Sequence, residues 1–280
     1  MAFSVTSSTS GVSNTNQINR NDRTQNQVSQ RLASGKRINR ASDGAASLAI
    51  SSVLASDVAS LRQSSSNLLQ GTALLQTADG ALEQAGNILN RMKDLATQAN
   101  SGSLDANSRN AINEEYQNLS GELNNLTNNT TFNGQKLVDG SFNQNFQSGT
   151  DGTNTLSADL TSVDLSLGGL GLTALGGTDP NALTTQAGAV ATSNELDTAI
   201  NNLASYRSQV GSIQSQFTTR GDVLETDTEN AIAAQSALQD ADIGQESSNF
   251  ASSNLLSDVS LAAAAQGNRM SKAMLKLVGR

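Results

Sequence analysis

LASDVASLRQSSSNLLQGTALLQTADGALEQAGNIL, residues 54–89, decides the fold: Leu54, Leu61, Leu68, Leu75, Leu82 and Leu89 recur at an unbroken seven-residue interval. A seven-residue apolar repeat keeps one seam of a slightly underwound helix facing a partner, so the stretch reads as coiled-coil helix. A second ladder of the same period runs through Leu196, Leu203, Val210, Phe217, Leu224, Ala231 and Leu238. Two ladders so far apart predict that the two halves of the chain return to lie side by side. The expected fold class is mainly α: an elongated coiled-coil bundle of paired N- and C-terminal halves, carrying a small β-hairpin and loop insert.

Composition supports a thin bundle. Aromatics are 3% of the 280 residues, Trp is absent, and the apolar content is largely Ala and Leu. Such side chains fill helical seams but do not close a thick core. The single proline, Pro180, lies outside both ladders, so neither helix is interrupted by one. The absence of Cys excludes disulfides and thiolate chemistry, and the absence of His removes the commonest general base and metal ligand. The N-terminus has neither a basic nor an apolar stretch of secretory-signal type. The longest apolar run, Leu261 to Ala265, falls far short of the ~20 residues of a membrane span.

Outward from the ladders, the pattern breaks at matching places. Before Leu54 it stops across a polar stretch bracketed by Gly35 and Gly44; after Leu238 it is lost at QDADIGQE. If the halves pair, these breaks lie alongside one another and set off a terminal two-helix layer. Ile112, Tyr116, Leu119, Leu123 and Leu126 predict a third helix over roughly 105–128, after a first helix over about 45–100. From Thr130 to about Val190, Asn133-Gly134, Asp139-Gly140 and Asp151-Gly152 signal turns between short alternating runs. The Gly, Thr and Asp content of that insert suggests a surface position.

The termini carry sparse apolar anchors: Phe3, Val5, Val12, Ile18, Val28 and Leu32 in the first segment, and Val259, Ala263, Met270, Met274 and Leu277 in the last. Neither stripe buries enough area to order a helix alone, so both segments are expected to be disordered in a monomer and helical once packed against other subunits. Both ends are basic, +4 over residues 1–45 and +4 over 260–280, within a chain of net charge −8. Without stacking aromatics these ends do not read as a nucleic-acid site.

No constellation assembles catalysis, and no cofactor or metal is expected. Gly169-Leu170-Gly171-Leu172-Thr173-Ala174 has the shape of a dinucleotide-binding loop, but the sequence after it does not open a helix. Asp240, Asp242 and Glu246 lack calcium-loop spacing and read as helix-end solvation. Glu114 and Glu115 beside Arg109 read as an exposed helix face.

RLASGKRINRASDGAASLAI (31–50) resembles bacterial flagellin. The resemblance continues through QTADGALEQAGNILNRMKDLATQANSG (76–102) and TTFNGQKLVDG (130–140), then resumes at LDTAINNLASYRSQVGSIQSQF (196–217) and ENAIAAQSALQDADI (229–243). It implies a filament subunit exported unfolded by the flagellar type III apparatus and secreted to the extracellular flagellum. Polymerisation there would run through the terminal helices. The organisation implied is an inner filament domain from 1–44 and 241–280, a coiled-coil core domain from 45–140 and 191–240, and a variable insert at 141–190. So short an insert implies a thin, smooth filament. Ile18, Val28, Leu32, Val259, Met270, Met274 and Leu277 are the expected subunit-packing residues. The partners implied are other copies of the chain, cap and hook-junction proteins, and an export chaperone at the C-terminal segment; neither nucleic acid nor membrane insertion is implied. LNRMKDLATQ (89–98) is similar to the segment by which some flagellins meet Toll-like receptor 5, which would place Arg91, Leu95, Gln98 and Glu115 in that contact. A hook–filament junction protein of the same superfamily and a flagellin-like adhesin remain as alternative readings.

Overall fold

The computed structural model describes residues 3–172, 179 and 181–278, and among them the side chains of 12–172, 179, 181–270, 272 and 273. In order, the elements are α1 (Phe3–Ser34), a 3-10 turn (Ala41–Asp43), α2 (Ala45–Ala99), α3 (Ala106–Asn129), β1 (Thr131–Phe132), β2 (Gln135–Lys136), β3 (Asn143–Gln147), β4 (Thr155–Asp159), the short α4 (Leu167–Leu170), α5 (Gln186–Gln239) and α6 (Ile243–Val278). The chain divides into two compact units, residues 1–56 with 230–280, and residues 57–229.

In the 57–229 unit the ladders form the core. Leu61, Leu68, Leu75, Leu82 and Leu89 of α2 are buried, as are Leu196, Leu203, Val210, Phe217 and Leu224 of α5. The two helices run antiparallel: Arg207 donates to Asp79 at 3.2 Å, and Lys93 pairs with Asp197. Gly71 supplies a notch for the one aromatic rung, since a Cβ there would stand 2.3 Å from Phe217 Cε1. The Phe217 ring meets Phe146 of β3 edge-on, centroids 5.4 Å apart at 77°.

α3 begins where Asp105 accepts from the Ser108 amide at 2.9 Å. Bonds to that serine, side chain first and backbone second, hold the Asp105 carboxyl below its ordinary value. Arg109 donates to the carbonyls of Ala99 and Ser101, satisfying the end of α2. The buried face of α3 is Ile112, Asn113, Tyr116, Ser120, Leu123 and Thr127. Leu119 and Leu126, expected inside, are half-buried. The helix turns polar residues inward because the following loop needs backbone partners. Asn113 accepts from the Leu183 amide at 3.0 Å, and Thr127 donates to the Leu165 carbonyl at 3.1 Å.

The insert is not peripheral. Ala158, Leu160, Val163, Leu165, Leu170 and Leu172 are fully buried, so the surface position expected for it is overturned. β3 and β4 form an antiparallel hairpin whose connecting turn is clamped to the helices. Arg220 of α5 donates through Nε and Nη2 to the Ser148 carbonyl at 3.0 and 2.8 Å, and Ser64 of α2 donates to the Gly149 carbonyl at 3.0 Å. Val163 and Leu165 point inward without forming a strand; a single bridge, Asp139 with Asp164, serves instead. Asn133 and Gly134, both at positive φ, make the tight β1–β2 turn that their pairing predicts.

In the other unit the two breaks do lie alongside one another. The Arg37 amide donates to the Gln239 carbonyl at 2.7 Å and the Ala241 amide to Gly35 at 2.9 Å. Gly35 takes φ 69°, the conformation that turns α1 out of its helix. Asp43 accepts from the Asn39 and Arg40 amides, and the Arg40 bond chiefly holds its carboxyl below the ordinary range. Ladder positions Leu54, Ala231 and Leu238 are only half-buried here.

Candidate subunit-contact surfaces

Helices α1 and α6 pack antiparallel through a seam of mixed chemistry. On α1 the positions that lose exposure include Ile18, Asn21, Gln25, Val28 and Leu32, alternately three and four residues apart, with Arg31 beside the last. On α6 they include Glu246, Phe250, Ser253, Ser257, Ser260 and Ala264, at the same spacing, with Asn254 beside Ser253. This is the heptad pattern of helices in lateral contact, but on α6 it is occupied largely by polar side chains, Glu246, Ser253, Ser257 and Ser260. Polar bonds key the register: Asn21 donates to the Leu256 carbonyl at 3.3 Å, Gln25 bonds to Asn254, and Arg31 donates to Glu246 at 3.1 Å.

Most of the large apolar side chains of α6, Phe250 apart, stand outside this seam. Leu255, Leu256, Val259, Leu261 and Met270 are 54–66% exposed. At about 100° per residue, Leu255, Leu256, Val259 and Met270 share one side of α6, away from the seam, while Leu261 flanks the seam; an apolar face left open on a helix is the mark of a contact surface. Two groups among the expected packing residues therefore separate. Ile18, Val28 and Leu32 are turned into the chain's own seam, whereas Val259 and Met270 are presented outward. Met274 and Leu277 fall within α6, but their side chains lie outside the described residues, as do those of Phe3 and Val5.

The second surface spans α2 and α3. Arg91 donates through Nε and Nη2 to Glu115 Oε1 at 2.9 and 2.5 Å, with both side chains about half exposed. Gln98 is exposed on the same helix. Leu95 is 1% exposed, turned into the core beneath this surface. Arg91, Gln98 and Glu115 remain as the exposed members.

The other motifs are absorbed by structure. Gly171 closes α4 at φ 87°, the Gly169 carbonyl accepts from the Tyr206 hydroxyl at 2.8 Å, and residues 173 and 174 lie outside the described residues. Burial raises the Tyr206 hydroxyl above its ordinary pKa, with Asp164 adding to the shift. Asp242 caps α6, accepting from the Gly244 and Gln245 amides at 2.9 and 3.1 Å. Glu246 is instead buried against Arg31, which corrects its reading as a solvated helix end. Among the described residues no group of three or more His, Cys, Asp or Glu could hold a metal ion, and no helix is long and apolar enough to cross a membrane.

Two family models match the chain: the bacterial flagellin N-terminal helical region over residues 5–143, and the bacterial flagellin C-terminal helical region over residues 194–278. A flagellin of Halalkalibacterium halodurans is 35% identical over 250 residues, spanning 89% of this chain and 90% of that protein. A flagellin of Bacillus subtilis strain 168 is 32% identical over 292 residues, spanning 94% and 95%. The crystal structure of Bacillus cereus flagellin aligns at 27% identity with a TM-score of 0.49, covering 56% of this chain and 88% of that one.

Proposed function

The chain belongs to the bacterial flagellin family and is a structural subunit of the extracellular flagellar filament, not an enzyme; from that premise we propose that its subunits join through the outward face of α6. The observation that carries this reading is the exposure of Leu255, Leu256, Val259 and Met270 on one side of a helix whose inner seam is largely polar. Met274 and Leu277 extend the face by their spacing. Ile18, Val28 and Leu32 contribute indirectly, by holding α1 against α6. The inner filament domain is then 1–44 with 241–280, the core domain 45–140 with 191–240, and 141–190 the insert. The hook-junction and adhesin readings are not favoured, because the relatives that span nine-tenths of the chain are flagellins.

The test is the variant with Met270, Met274 and Leu277 changed to Ser. Each buried side chain contributes about 1.5–3 kcal/mol, so the loss is on the order of 5 kcal/mol per subunit and raises the critical concentration roughly a thousandfold or more. Filaments extended from seeds should disappear while far-UV helicity stays close to that of the parent. Normal filaments from this variant refute the reading.

Further partners follow from the same chemistry. The basic, apolar C-terminal segment suits an export chaperone before assembly, and the filament end suits cap and hook-junction proteins. Arg91, Gln98 and Glu115 form the exposed face that would meet Toll-like receptor 5. Immobilised subunit that fails to bind the receptor at micromolar concentration refutes that last assignment.

A further inference from the structure

The chain has no Cys, and no His or Trp, so its four methionine thioethers are the only sulfur and the softest groups that a two-electron oxidant can meet. The structure divides them. Met92 of α2 is 0% exposed, closed within the core of the 57–229 unit. Met270 of α6 is 54% exposed and stands on the same side of the helix as Leu255, Leu256 and Val259. Met274 follows four residues on, at the spacing that keeps to that side. Access to these sulfurs does not require a formed helix before assembly. A side chain half exposed on α6 is more exposed still in a segment that orders only in the polymer.

The chemistry is an oxygen transfer. Sulfur gives an electron pair to one oxygen of a peroxide and the O–O bond breaks. The hydroxide that leaves takes up the proton of the transferred hydroxyl and becomes water. The thioether is oxidised to a sulfoxide and the peroxide is reduced. A flexible apolar side chain thereby becomes a polar one that carries an acceptor oxygen. In an apolar contact that oxygen gives up water without gaining a donor, which weakens the contact.

We propose that Met270 and Met274 are an oxidation-sensitive gate on assembly. A peroxide converts them to sulfoxides in the free subunit, the growing filament refuses the oxidised subunit, and enzymatic reduction of the sulfoxides makes it competent again. Once packed, the same sulfurs are covered, so the filament protects what the free chain exposes. Susceptibility stands on exposure and composition; refusal rests on the assignment of this side of α6 to subunit packing.

The test treats the full chain with dilute hydrogen peroxide, removes the peroxide, and follows elongation from untreated seeds, with mass mapping of each methionine. Met270 and Met274 should be oxidised at least about tenfold faster than Met92. At full conversion elongation should slow by about tenfold or more, the effect of an unmatched polar oxygen in the contact. In a partly oxidised sample, the chains left in solution should carry the sulfoxides and those taken into filaments should not. Methionine sulfoxide reductases for both epimers should restore the parent rate. Measured against its own untreated rate, Met270→Leu with Met274→Leu should lose the response to peroxide, whereas Met92→Leu should keep it. The gate is overturned if oxidised chains enter filaments as readily as reduced ones. It is also overturned if reduction of the sulfoxides fails to restore elongation, or if the double leucine variant still responds. Where oxidised chains do enter, the serine variant of Met270, Met274 and Leu277 separates the causes. If it extends no filaments, subunit packing stands and only the gate falls; if it extends them normally, the packing reading falls too.

Discussion

Replacing Gly71 by Ala measures how tightly α2 and α5 interlock. The added Cβ would lie 2.3 Å from Phe217 Cε1 and 2.9 Å from Cδ1, against an ordinary carbon contact of roughly 3.5–4.0 Å. The ring is 1% exposed and meets Phe146 edge-on, so any shift that makes way for the Cβ disturbs packed contacts. Overpacking of this kind costs about 1–3 kcal/mol. Alanine in place of a helix-interior glycine contributes about 1 kcal/mol in the other direction. The net result is a loss on the order of 1 kcal/mol. Gly80, on the same helix, has nothing within 4 Å of its would-be Cβ, so Gly80→Ala should gain about 1 kcal/mol. One substitution thus carries opposite signs at two positions of one helix. Phe217→Ala alone should cost about 3–5 kcal/mol. In that background the obstruction is gone and Gly71→Ala should stabilise by about 1 kcal/mol, a coupling of roughly 2 kcal/mol. Urea unfolding of the full chain followed by far-UV circular dichroism reads all four variants. If Gly71→Ala raises the midpoint as Gly80→Ala does, or acts alike with and without Phe217, the interlock is refuted.

The hairpin clamp predicts a contrast between two arginines of α5. Arg220→Ala strands the Ser148 carbonyl, on a residue 4% exposed, and should cost about 1–3 kcal/mol; Arg207→Ala removes only an exposed pair with Asp79 and should cost about 0–1 kcal/mol. Equal unfolding midpoints would rule the clamp out. On the receptor surface, Arg91→Ala should abolish receptor binding with little change in stability, whereas Leu95→Ala should destabilise by about 2–5 kcal/mol and affect binding only through unfolding. A folded Leu95→Ala chain that selectively lost receptor binding would contradict this. Asp105 is held below its ordinary value of 3.8 by its bonds to Ser108. A depressed folded pKa means that the cap stabilises α3 fully above pH 3.8, and that this contribution is lost as pH falls through the folded value. Asp105→Ala should therefore lower thermal stability at pH 6 and differ progressively less from the parent below pH 3.8; a constant difference down to pH 2 argues against the cap.

The helices were legible because each leaves a period in one dimension. The leucine ladder placed α2 within a residue of its observed end, and the paired breaks at Gly35 and Asp240 do meet. The burial of the insert is not legible because its buried residues, Ala158 to Leu172, come only in short pairs two apart, broken by Gly, Thr, Ser and Asp. They are held by distant partners, Thr127 at Leu165, Asn202 at Leu170 and Tyr206 at Gly169, and composition carries no trace of those contacts.

What the sequence by itself determined was the set of helices, their apolar stripes and the places where they stop, since spacing along one helix is a local property of the chain. The tertiary structure decided which stripe turns inward. On α6 the leucines and the serines offer alternative faces, and hydrophobicity alone would have hidden the leucines. The opposite choice depends on polar atoms finding partners far away in the chain, Asn21 at Leu256, Gln25 at Asn254 and Arg31 at Glu246. Those encounters exist only once the two ends of the chain lie together.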